Sequence, residues 1–120
     1  YISNGTYLGI IKEMLEKEFA EELQPLKARV VEMVKLYEQA LDYVKQAQDQ
    51  EVQDFLARRL YNMTGDIVMS LLILEDATRS AELFSKSANV YVRMAQAEVT
   101  AEHVYIMNFV KEDLPSFRAE

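Results

Sequence analysis

The stretch "RLYNMTGDIVMSLLILEDA", residues 59 to 77, holds the longest apolar run in the chain and one of its three glycines, Gly65. Leu60, Met63, Ile67, Leu71 and Leu74 recur there at steps of three and four, which is the period of one helix face. Val68, Leu72 and Ile73 add apolar surface on other faces, so this helix should be enclosed by neighbours on several sides. A glycine inside such a helix costs about 1 kcal/mol relative to alanine. The reading that justifies it is clearance, with Gly65 letting another helix come close.

Working outward, the same face extends back through Leu56 and Val52 to the polar "QAQDQE" of residues 46–51, within which Asp49 is a suitable N-cap. Before that break, Val30, Met33, Tyr37, Ala40, Val44 and Ala47 alternate at steps of three and four, with Val34 and Leu41 widening the stripe. Pro25 marks the first turn of this second helix, where its missing N–H is harmless. Helix one precedes it, with Leu8, Ile11, Leu15 and Phe19 in one stripe. On the other side of the opening stretch, "EDATRS" is the only turn candidate, with Thr78 or Ser80 as cap. Leu83, Phe84, Ala88, Tyr91, Ala95, Val99, Ile106 and Phe109 then continue a fourth helical stripe until Pro115. The expected fold is all-α, an antiparallel up-and-down four-helix bundle spanning residues 1–120 as a single domain.

Composition narrows the function classes. A chain of 120 residues buries roughly 60 to 70% of its unfolded surface and needs no staple. Twenty acidic residues against 13 basic ones give a net charge of -7, with the basic residues dispersed, which argues against nucleic acid as a partner. No cysteine is present, so disulfides and thiolate chemistry are excluded. No apolar run approaches the ~20 residues of a membrane span, and the amino end lacks a secretory pattern. A cytoplasmic location without membrane contact is the expectation.

The chemistry-bearing residues do not assemble into a motif. The single histidine, His103, has no glutamate three residues before it, so a di-metal bundle site is not expected. Glu98, Glu102 and His103 read as a solvated polar face, as does the acidic "EKEFAEE" of residues 16–22. The glycines lie too far apart for a phosphate loop. Tyr37, Tyr61, Tyr91 and Tyr105 have the composition of an aromatic pocket, but helical spacing favours core or interface. No catalytic, cofactor-binding or metal-binding residue is therefore assigned. Gly65, Val68, Leu72, Tyr91 and Met94 are the candidate helix-packing or interface positions, because four helices of one small bundle leave part of this apolar surface over.

The segment "FLARRLYNMTGDIVMSLLILEDATRSAELFSKSANVYVRMAQAEVTAEH", residues 55 to 103, resembles the extra C-terminal helical domain of acyl-CoA dehydrogenase-like flavoproteins. Leu60, Tyr61, Gly65, Leu71, Leu72, Leu74, Ala77, Phe84, Lys86 and Tyr91 carry the resemblance. The "YEGT"-like segment of that family's catalytic bundle is missing, so the likeness is to the appended domain. The resemblance implies a longer parent that binds FAD and oxidises acyl-CoA thioesters at the α–β bond, with a glutamate base and the flavin both in upstream domains. It implies a homo-oligomer in which this domain packs against the enzyme body or a neighbouring subunit. The rival expectation is a stand-alone helical interaction module that receives a partner helix.

Overall fold

A computed structural model describes residues 6–110. Four α-helices account for most of them: α1 Thr6–Leu15, α2 Gln24–Gln46, α3 Gln50–Arg79 and α4 Ala81–Asn108. Local sequence explains each boundary. Pro25 sits in the first turn of α2, after a 3-10 turn Glu21–Leu23. Asp49 caps α3, its carboxylate accepting the Val52 N–H at 3.1 Å. Gln48 reverses the chain ahead of that cap with φ at 52°, a left-handed conformation that costs a non-glycine residue energy. Between α3 and α4 a single residue, Ser80, leaves the helical region, and its N–H still bonds the Asp76 carbonyl at 2.9 Å.

Cross-helix contacts fix the direction of each element. Arg29 with Gln96, Gln39 with His103, and Tyr43 with Phe109 ascend together, so α2 and α4 run parallel. Tyr7 of α1 with Tyr61, and Lys17 just beyond the end of α1 with Glu75, show the same for α1 and α3. Chain neighbours joined by the short turns are antiparallel, which gives the up-and-down order of a helical bundle. The short α1 lies along α2 and α3, linked to α2 by Lys12 and Glu38 at 3.1 Å.

The core follows the stripes read from sequence. Val30, Met33, Tyr37, Ala40 and Val44 of α2 face Leu56, Leu60, Met63, Ile67, Leu71 and Leu74 of α3, all buried. Fully burying each Val, Leu, Ile or Met side chain among them contributes about 1.5 to 3 kcal/mol. On α4 the buried line is Ala88, Val92, Ala95, Val99 and Ile106, so Val92 belongs to it while Leu83 is exposed. Small alanines let α4 nest closely against α2 and α3.

Three expectations are corrected here. Helix one ends at Leu15, and Phe19 is buried from the following loop, with Lys27 5.4 Å over its ring. Helix four ends at Asn108 and not towards Pro115, which lies outside the described residues. The chain turns extended at Phe109, whose ring stacks on Phe55 at 5.1 Å and whose carbonyl accepts the Tyr43 hydroxyl at 2.8 Å. Gly65 is exposed, and a Cβ placed there meets, beyond its own turn of helix, no atom of the described residues within 4 Å. It therefore clears no helix of its own bundle.

Candidate functional site

The side of α3 and α4 turned away from α2 is open. Two adjoining depressions lie along it and meet at Tyr91. The larger, of about 870 Å³, is lined by Arg59, Asp66, Tyr91, Glu98, Glu102 and Tyr105, with Gly65 on its edge. The smaller, of about 450 Å³, is apolar and bounded by Ile73, Val90, Tyr91 and Met94. Met69, Val90 and Met94 are 51%, 69% and 48% exposed, and Leu72, one ridge further round α3, is 41% exposed.

Polar residues organise the wider end. Arg59 Nη1 donates to Glu102 Oε1 at 2.8 Å, and Asn62 donates to Glu102 Oε2 at 3.3 Å. The Arg59 guanidinium lies 3.8 Å from the centre of the Tyr105 ring, so both its charge and its flat face are engaged. Asp66 lies beside Glu98. Burial, then a shared hydrogen bond and repulsion from Glu98, with Glu102 adding to it, raise the Asp66 carboxyl to about 7. Tyr91 is raised above its ordinary value by burial and by the carboxylates of Asp66 and Glu98.

The chemistry available is limited. The carboxyl pair stands in an open groove, and among the described residues that line it no nucleophile, base and orienting group come together. His103 faces elsewhere, its Nε2 2.9 Å from Gln39 Oε1. Among the described residues no three metal-ligating side chains cluster. The charge of this groove opposes the pyrophosphate of a flavin dinucleotide. The carboxylates of Asp66, Glu98 and Glu102 line it, and Arg59, its one cationic side chain among the described residues, is already paired with Glu102.

Of the candidate positions, the structure brings Tyr91 and Met94 together in the apolar depression. Leu72 is exposed beside it, Gly65 borders the wider end, and Val68 is half-buried against the core. Tyr61, Tyr91 and Tyr105 share the wider end while Tyr37 is in the core. The acidic "EKEFAEE" faces solvent except for Phe19 and Ala20. Glu102 and His103 depart from the expected solvated face, because each is half-buried and bonded across helices. Sequence reading missed Met69, Val90 and the Asp66–Glu98 juxtaposition. The spacing of Gly65, Met69 and Leu72 was the available signal for the first.

No helix among the described residues is long and apolar enough to cross a membrane. The family model described as acyl-CoA dehydrogenase C terminal matches residues 3–114. The crystal structure of an acyl-CoA dehydrogenase family protein from Porphyromonas gingivalis is similar at a TM-score of 0.85 and 36% identity, over 91% of this chain and 94% of that one. No curated protein matches. Helix order, the shared fold and the extent of both matches agree, and the chain belongs to the acyl-CoA dehydrogenase C-terminal domain family.

Proposed function

We propose that this chain is the non-catalytic C-terminal accessory domain of an FAD-dependent acyl-CoA dehydrogenase, an oxidoreductase of the cytoplasm that oxidises acyl-CoA thioesters at the α–β bond. Residues 1–120 form one bundle appended to the flavin-binding body, and its work is to pack against that body or a neighbouring subunit. The observation that carries the reading is the open α3/α4 side, where Met69, Val90 and Met94 stand exposed around a groove without a catalytic constellation. Apolar surface grouped in this way is the mark of a contact.

The reading frame ahead of Tyr1 tests it first, since it should encode flavin-binding and acyl-binding domains. Titration of the purified chain with FAD tests it again. The expected result is no binding, and tight stoichiometric binding overturns the assignment of the cofactor to upstream domains. A second reading, a stand-alone interaction module for a partner helix, draws on the same exposed Met69, Val90 and Met94, which would also receive an amphipathic helix. An initiator codon immediately before Tyr1 would favour that reading.

A further inference from the structure

We propose that α3 pairs with α3 of a second copy of this chain, antiparallel, about a two-fold axis beside residue 67. The inference deepens the proposed packing role and rests on it. Its starting point is a second stripe on α3, opposite the buried one. Arg58, Asn62, Gly65, Met69, Leu72 and Asp76 follow one another at steps of four, three, four, three and four. All but Asp76 are exposed, and Asp76 is half-exposed. That alternation has the spacing that a two-helix coiled-coil seam requires, in which every third or fourth residue meets the partner.

The seam is complementary to itself in one register. Antiparallel pairing sets residues of constant numerical sum opposite each other, and an axis beside residue 67 matches Arg58 with Asp76, Asn62 with Leu72, and Gly65 with Met69. All six positions find a partner within the seam. At the centre, the glycine lacks a Cβ and, beyond its own turn of helix, none of the described residues lies within 4 Å of where one would stand. The long, adaptable Met69 of the other copy suits that space, and the helices can approach closely. At both ends Arg58 meets an acid. Arg58 makes no ion pair among the described residues, while Asp76 accepts Arg79 on Oδ1 at 2.7 Å and has further acceptor capacity.

Alternatives are worse. A parallel arrangement sets Arg58 on Arg58, Asp76 on Asp76 and glycine on glycine, which combines repulsion with a void. The net charge of -7 on each chain opposes any association, but the six seam positions carry one positive and one negative charge and so add nothing to that repulsion. From Arg58 to Asp76 the seam is about 27 Å long at 1.5 Å per residue. One helix pair flanked by the exposed Val90 and Met94 is a small interface, so a dissociation constant on the order of micromolar is expected.

Sedimentation of the full 120-residue chain over a range of concentrations tests the pairing. The wild type should shift from monomer to dimer. Arg58→Asp and Asp76→Arg should each weaken self-association at least tenfold, since each puts like charges at both ends. An equimolar mixture of these two variants should recover the dimer, because opposite charges then face each other at both ends. Circular dichroism confirms that the variants remain folded. A wild type that stays monomeric near 1 mM, single variants that associate like the wild type, or a mixture that fails to recover the dimer would each overturn the proposal. A monomeric result leaves the accessory-domain reading standing, because that one is decided by the frame ahead of Tyr1.

Discussion

Helix α3 carries two stripes with the same spacing and opposite fates. Leu56, Leu60, Met63, Ile67, Leu71 and Leu74 are buried between α2 and α4, whereas Arg58, Asn62, Gly65, Met69 and Leu72 look outward. Spacing alone does not separate them, since both step by three and four. Composition does. An all-aliphatic stripe is buried with the fold itself, and a stripe with charged ends and a glycine at its centre suits contact that a folded chain makes and releases.

The largest effect should come from the inner stripe. Ile67→Ala leaves a cavity among close-packed side chains and is expected to cost about 2 to 5 kcal/mol. Leu72→Ala, only one turn away, should change stability by less than about 0.5 kcal/mol because solvent already reaches that side chain. Urea denaturation at a concentration where the chain is monomeric measures both. Similar losses at the two positions would erase the distinction between the stripes.

How far the sequence could be read follows from the same distinction. Pro25, Asp49 and Ser80 are punctuation visible in one dimension, and the structure places each at a helix boundary. The stripe from Val52 to Leu74 was legible because its period is long and unmixed. Helix α4 was harder, since Leu83, Tyr91 and Val92 are all apolar and only neighbours in space decide that Val92 is the buried one. Gly65 was misread for a related reason. A glycine in an apolar run reads as clearance, and which side of the helix is clear depends on where the other helices lie. Asp66 and Glu98 are 32 positions apart in the chain, and nothing local announces that they meet.

That carboxyl pair supplies the next test. Asp66 is held at about 7 in the folded chain against an ordinary value of 3.8, so the fold retains a proton that the unfolded chain releases. Its effect is absent below the ordinary value, and stability then falls as pH rises until it levels above about 7. Asp66→Asn should therefore stabilise the chain by about 1 to 2 kcal/mol at pH 8, a fraction of the unscreened shift because solvent reaches this group. The gain should vanish near pH 4. A gain that is constant with pH would show that Asp66 loses its proton as readily in the folded chain as in the unfolded one.

A smaller effect is expected on the buried side. Ser70 is fully buried, and its Oγ has no hydrogen-bond partner among the described residues. A stranded hydroxyl opposes folding, and alanine is also the better helix former. Ser70→Ala should raise stability by about 1 kcal/mol, read as a higher urea midpoint at unchanged slope. A loss would mean that the hydroxyl is satisfied after all.

Gly65 gives a small effect and the most informative sign. Its exposure and the empty space around its Cβ position mean that alanine introduces no clash within the chain. Helix propensity then acts alone, and Gly65→Ala should stabilise the monomer by about 0.5 to 1 kcal/mol. The same methyl group faces Met69 of the second copy in the proposed pair, so self-association should weaken while the monomer gains. Denaturation at low concentration and sedimentation at high concentration read the two effects separately. A lower denaturation midpoint would return Gly65 to the inner stripe's kind of packing. A higher midpoint with unchanged association would leave the glycine on the outer face but remove it from the centre of the seam.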